Sequence, residues 1–199
     1  MNLLERFWAW LISKPWPGNA SASNGYRCQK QRNYNVHYFF SIYYLSMIVF
    51  GVDPGTARLG WGVIEKNSAI AYGCITPQSK TPAFRLATIY KELQTLLRKY
   101  RPEALAIEEL FFAKNVKTAI AVAESRGIVL LLAAQENIPV TSYTPLVIKQ
   151  TITGNGKADK IQVQKMIKLL LKLPEIPKPD DTADALAAAL THAYTKKFV

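Results

Sequence analysis

Residues 48 to 65 read IVFGVDPGTARLGWGVIE, an unbroken apolar run that ends in one carboxylate, Asp53, turns at Pro54-Gly55 and returns as a second apolar run spaced by glycine. Proline presets φ at the first corner of a turn and glycine accepts a positive φ at the next. The spacing therefore predicts a strand, a tight turn and an antiparallel returning strand. Gly55, Thr56, Ala57 and Gly60 keep side-chain bulk low just past the strand end, which leaves the backbone open to approach by a phosphate. Turn chemistry alone accounts for an isolated Asp-Pro-Gly, so this stretch establishes an acid at the edge of a core and little more.

Working outward, Ser68 to Ile75 alternates and predicts a third strand of an antiparallel meander, closed by Pro77. Thr81 to Tyr100 places Phe84, Leu86, Ile89, Leu93, Leu96 and Leu97 at helical spacing, an amphipathic helix broken by Arg101-Pro102. Ala104 to Ile107 is a short apolar run ending in Glu108-Glu109. Lying between two helices, it reads as a parallel neighbour of the first strand, and it delivers a second carboxylate to a strand end. Asn115 to Asn137 predicts a long helix, apolar on every side from Ile128 to Ala134, so that half needs cover from its own sheet or from another subunit. Ile138 to Tyr143 is a fifth strand, Thr144 to Thr153 a short helix carrying Lys149, and Gly154-Asn155-Gly156 a loop. Lys160 to Leu173 is amphipathic again, with Val163, Met166, Ile167 and Leu170 inward and Lys165, Lys168 and Lys172 outward.

Pro174, Pro177 and Pro179 separate that helix from a last one, DDTADALAAALTHAY, beginning at Asp180. Acids in a first helical turn complement the dipole, and for Asp180 or Asp181 alone this reading suffices. Asp181 and Asp184 are three residues apart and share a helix face. Asp184 lies among alanine and leucine, where a carboxylate is costly unless something positive offsets it. Two strand-end acids and a same-face helical pair are the oxygen-rich set that Mg²⁺ or Mn²⁺ requires. His37 and His192 have no partner at ligand spacing and read as ordinary side chains.

The chain has 199 residues, suited to one domain with a real core, and 49% are apolar. Lys and Arg total 25 against 14 Asp and Glu, a net charge of +11 that points to an anionic partner such as nucleic acid. Cys28 and Cys74 are too few for a disulfide framework or a metal clip, and a reducing cytoplasm fits them. Residues 1 to 46 differ in texture, joining FWAWLI, a PWPGNASASNG breaker run and the aromatic YNVHYFFSIYY. The uncharged span from Asn33 to Val52 has the length of a membrane helix, but Asn33, Asn35, His37 and the tyrosines argue against one. A signal peptide is disfavoured by Glu5 and the early tryptophans. The expectation is a disordered leader or an upstream reading over 1 to 46, with translation starting at Met47 and the folded domain spanning 47 to 199.

Five separated blocks, GVDPGTARLGWGVI, AIEELFFAKN, ESRG, VIKQTITGNGKADKIQVQ and DDTADALAAALTH, occur in an order that resembles the RuvC-type Holliday junction resolvases of the RNase H-like nuclease superfamily. The resemblance covers essentially all of 47 to 199. It implies an α/β fold with a mixed five-stranded sheet, three strands antiparallel and then parallel, and helices on both faces. It further implies a Mg²⁺-dependent homodimer that resolves four-way DNA junctions by paired symmetric nicks in recombination and repair, working with a branch-migration helicase complex and no membrane. The family's metal-binding acids fall on Asp53, Glu108, Asp181 and Asp184, its functional lysines on Lys149 and Lys160, and its base-stacking aromatic on Phe111. Lys114, Lys117, Arg126 and Lys157 are expected near DNA. Glu109 departs from a neutral residue seen in some members.

Phosphodiester hydrolysis needs an activated water and a stabilised leaving oxygen, and two metal ions do both. Asp53 is expected to bridge them, with Glu108 on one side and Asp181 and Asp184 on the other, and Lys149 or Lys160 near the phosphate. The Asn115 to Asn137 helix is expected at the dimer interface. Sugar kinases and actin-like ATPases open with a similar hairpin but need a duplicated second half. A related nuclease acting on ribosomal RNA precursors is expected to lack the Phe111 block, and an inert junction-binding module has no use for all four acids.

Overall fold

The computed structural model describes residues 47–109 and 116–195. Residues 1 to 46, Phe111 and Lys114 lie outside the described residues, and so does the side chain of Lys117. Five strands, β1 (Ile48–Asp53), β2 (Leu59–Glu65), β3 (Ser68–Ile75), β4 (Ala104–Glu108) and β5 (Val140–Tyr143), form one sheet in the order β3-β2-β1-β4-β5. β1 pairs antiparallel with β2 and β2 with β3, whereas β1–β4 and β4–β5 are parallel. This is the expected mixed sheet. β1 is central, which is why its sequence is a continuous apolar run rather than an alternating one.

Among the described residues five helices cover the sheet: α1 (Pro82–Tyr100), α2 (Val116–Gln135), α3 (Pro145–Thr153), α4 (Lys160–Leu170) and α5 (Asp180–Thr195). Because side chains alternate along a strand, each strand feeds two cores. Phe50 and Val52 of β1 and Leu105 and Ile107 of β4 pack with Ile89, Leu93 and Leu97 of α1 and Val129 and Leu132 of α2. Val49, Ala104 and Ala106 face the other way, toward Ile148, Val163, Ile167 and the Leu186–Leu190 stretch of α5. Asp53 and Glu108 continue this second set, so the two strand-end acids emerge on the same side of the sheet as α5.

Several boundaries differ from the sequence reading. The connection after Asp53 is a five-residue loop, 54–58, rather than a tight Pro-Gly turn, and Gly55 is not among the positive-φ residues. Glycine is needed there because a Cβ would overlap the Arg58 carbonyl oxygen. The tight turn of the meander is at Lys66-Asn67, with φ of 50° and 64°, the two positive values of a hairpin turn that matches strand twist. Helix α4 ends at Leu170, short of Leu173, with Lys172 at φ 53° just beyond it. Strand β5 starts at Val140 rather than Ile138.

The contact that fixes α5 is made by residues without side chains. A Cβ on Gly51 would overlap the Ala185 carbonyl oxygen and meet Ala189 Cβ at 2.9 Å, and one on Gly60 would overlap the Asp181 carbonyl. Gly60 is therefore not open space for a phosphate, as its position after the turn suggested. It is where the first turn of α5 rests on β2. Alanines at 185, 187, 188 and 189, all fully or almost fully buried, complete the close approach.

Candidate active site

Four elements converge at one end of the sheet. β1 and β4, parallel neighbours, end in Asp53 and Glu108, and α5 starts above them with Asp180, Asp181 and Asp184 in its first turns. Lys160 is the first residue of α4, whose start is fixed by a capping box: Asp159 accepts from the Gln162 backbone N–H and the Gln162 side chain accepts from the Asp159 N–H. Its Nζ lies 3.2 Å from Asp184 Oδ2 and 3.3 Å from Asp180 Oδ2. Arg58, in the loop after β1, places Nη1 3.7 Å from Asp181 Oδ2.

The electrostatics show that these groups share one field. Burial, then the charges of Glu108, Asp184 and Asp181, pushes Asp53 up to about 8, with Lys160 opposing. Glu108 is pushed up to about 7 by burial and by Asp184, against Lys160 and Lys149. Asp184 is raised by burial, and Lys160 again acts in the other direction. For Lys160 burial lowers the ammonium, but Asp184 and Asp180 outweigh it and hold the group above its ordinary value. Asp180 is lowered, by hydrogen bonds from Lys160 and Gln164.

The sequence-predicted residues divide clearly. Glu108, Lys149, Lys160 and Asp184 line one cavity of about 220 Å³. Beside it Gly55, Thr56, Ala57, Arg58, Lys160, Lys178 and Asp181 line a wider groove of about 980 Å³. Lys157 is exposed on the α3–α4 loop, where its backbone N–H donates to Asn155 Oδ1. Arg126 turns inward: Nη2 donates to Ser142 Oγ of β5 at 2.8 Å, and its buried Nε finds no partner. Its neighbour Ser125 donates to the Gly55 carbonyl at 3.2 Å and ties α2 to the loop after β1. Glu109 is exposed. His192 is buried with Nδ1 3.0 Å from the Tyr143 hydroxyl, an ordinary core histidine. Arg58, Lys178 and Gln164 were not singled out from sequence, and Asp180 was read only as a first-turn acid. The charge excess was visible, but no local spacing distinguishes these residues from solvated ones.

The donor set is all carboxylate oxygen, which suits a hard divalent cation, and three of its four members, Asp53, Glu108 and Asp184, are held above the ordinary carboxylate range by burial and by neighbouring acids whose charge a cation would offset. As the side chains stand, no three acidic, histidine or cysteine groups among the described residues draw close enough to cage an ion. Two of the four acids are engaged with cationic side chains, Asp184 with Lys160 and Asp181 with Arg58.

A family model described as Crossover junction endodeoxyribonuclease RuvC matches residues 49–192, from the first core strand into the last turn of α5. The chain belongs to the RuvC family. The crossover junction endodeoxyribonuclease RuvC of Desulforamulus reducens is 52% identical over 152 residues, 74% of this chain and 93% of that protein. That of Moorella thermoacetica is 51% identical, over 74% and 91%. Among solved structures, T. thermophilus RuvC in complex with a Holliday junction substrate aligns with a TM-score of 0.72 at 37% identity, covering 76% of this chain and 96% of that one. The RuvC family is one of metal-dependent nucleases. Its RNase H-like sheet is the one found here. Among the described residues, no helix is long and apolar enough to cross a membrane.

Proposed function

We propose that this chain is a structure-selective endonuclease that resolves four-way DNA junctions, with phosphodiester hydrolysis at Asp53, Glu108, Asp181 and Asp184. The observation that carries this reading is the convergence of four carboxylates from β1, β4 and α5, with Lys160 among them, beside an open groove in a chain of the RuvC family. Mg²⁺, with Mn²⁺ as a substitute and two ions per site, would be held by those four acids and would supply an activated water and charge on the leaving oxygen. Lys160 and Lys149, from two different helices, present positive charge to the scissile phosphate. The groove residues Arg58 and Lys178 and the loop residue Lys157 hold flanking phosphates, a salt-dependent contribution. Phe111, with Lys114 and Lys117 after it, follows β4 and is the candidate for stacking on an unpaired base, while Arg126 supports the site from within.

The test is cleavage of a synthetic four-way junction against linear duplex, with and without Mg²⁺. Paired nicks at symmetric positions, confined to the junction and dependent on the ion, are expected. Binding without cleavage in either Mg²⁺ or Mn²⁺ would leave the protein as a junction-binding module.

Two symmetric cuts require two equivalent sites, which a two-fold dimer provides. Ile120 and Leu131 on α2 and Phe84 on α1 are large apolar side chains left 56%, 49% and 67% exposed. Of the α2 run, Val129, Leu132 and Ala133 are buried in the core between sheet and α1 and Ile128 packs at its edge, so the outer face is the proposed contact between two copies. Leu131→Glu combined with Ile120→Glu should convert the dimer to monomer in light scattering and lower paired cutting more than single nicking. A doubly substituted protein that stays dimeric places the interface elsewhere. Activity alongside a branch-migration helicase is part of the same reading.

A further inference from the structure

The carboxylate of Asp180 is gripped from two sides by one face of α4. Gln164 Nε2 donates to Asp180 Oδ1 at 3.0 Å, and Lys160 Nζ donates to Asp180 Oδ2 at 3.3 Å. Gln164 stands four residues after Lys160, so the two side chains are neighbours on the helix surface. Gln164 is only 8% exposed, unusual for a polar residue, and a buried carboxamide needs a partner with good geometry. The Asp180 side chain is 61% exposed, so the ion pair itself contributes little to stability.

We infer that Asp180, anchored by Gln164, is a positioning residue for the Lys160 ammonium. A lysine reaches its target through a flexible four-carbon stem and must be restrained if its charge is to sit at one place. Asp184 alone is a poor restraint, because the proposed chemistry needs that carboxylate as a ligand. Asp180 supplies a second acceptor at nearly the same distance, 3.3 against 3.2 Å, and keeps the ammonium beside Asp184 when Asp184 is engaged elsewhere. Helix capping explains an acid at position 180 but does not explain the buried glutamine committed to it.

This inference rests on the proposed role of Lys160, and the experiment separates the two. Single-turnover cleavage of a four-way junction is measured at saturating protein and Mg²⁺, with junction affinity and thermal unfolding recorded for each variant. Asp180→Asn should lower the cleavage rate about 10-fold, the lower end of what partners behind an active residue contribute, with junction affinity unchanged. Asp180→Ser, which retains a favourable capping residue without the carboxylate, should lose the same factor, and Asp180→Glu should recover part of it. Gln164→Leu should act in the same direction. In a Lys160→Ala background, Asp180→Asn should cost nothing further, because the group it positions is gone. Additive losses in that double variant, or a full rate in Asp180→Ser, overturn the positioning role. Lys160→Ala cutting at the full rate would instead remove the proposed role of Lys160 and this inference with it.

Discussion

Asp184→Asn should abolish Mg²⁺-dependent cleavage while leaving junction binding intact or slightly tighter. The substitution keeps the shape of the side chain and much of its hydrogen bonding but removes one negative donor from the four-acid set. Loss of an outer-shell partner at a metal site typically costs about 10- to 100-fold, and loss of a proposed ligand should exceed that. Binding draws on Lys and Arg contacts to phosphate, a term to which the acids contribute only repulsion. The ion pair from Lys160 at 3.2 Å becomes a weaker, neutral contact, with Asp180 still holding the ammonium. A gel-shift titration beside a cleavage time course checks both halves. Cleavage surviving at the parental rate would mean that the metal site has been placed wrongly.

Gly51→Val should be the most damaging single change to the fold. Even a Cβ at this position overlaps the Ala185 carbonyl and lies 2.9 Å from Ala189 Cβ and from the Ala189 backbone nitrogen, and a helix backbone cannot give way as a flexible side chain would. Overpacking a core usually costs about 1–3 kcal/mol, occasionally more. Displacing a whole helix from the central strand should reach at least the top of that range. Against a total stability of about 5–15 kcal/mol, this is a large fraction. Because α5 carries Asp181 and Asp184, activity should fall with stability. Gly127→Ala is the contrasting control: nothing lies within 4 Å of a Cβ there, and glycine within α2 is a helix weakness. That change should be neutral or stabilising by up to about 1 kcal/mol. Denaturant titration of the two variants reads the difference, and equal midpoints would mean that α5 tolerates lifting off the sheet.

The elements that bear the site were largely legible in the sequence because each announces itself locally. β1 is an apolar run with an acid at its end, α1 has helical spacing closed by Arg101-Pro102, and α5 follows three prolines. Apolar runs bounded by turns, prolines and acids, with alternation in β3 and helical spacing in α1 and α4, located all five strands and all five helices of the described residues, with errors confined to ends such as Leu170 and Val140. The four acids were proposed from their strand-end and same-face positions and, with the two lysines, from five blocks whose order resembles one family.

What the sequence could not show is how the residues around those acids are paired. Gly60 looked like open space after a turn. It is filled by the start of α5, an element 120 residues further along the chain, so no local pattern could reveal the contact. Asp180 looked like a helix cap, because its partners Lys160 and Gln164 lie on another helix across a proline-rich connection. Arg126 was expected near DNA, and its bond to Ser142 of β5 was not foreseeable, since an outward arginine and one bonded to Ser142 have the same neighbours in sequence. Composition and periodicity determined which faces are buried and where the acids stand along the chain. Only the docking of α5 and α4 on the glycine-lined end of the sheet decided which charges meet, because ion pairing acts over a few ångströms between groups that the chain itself keeps far apart.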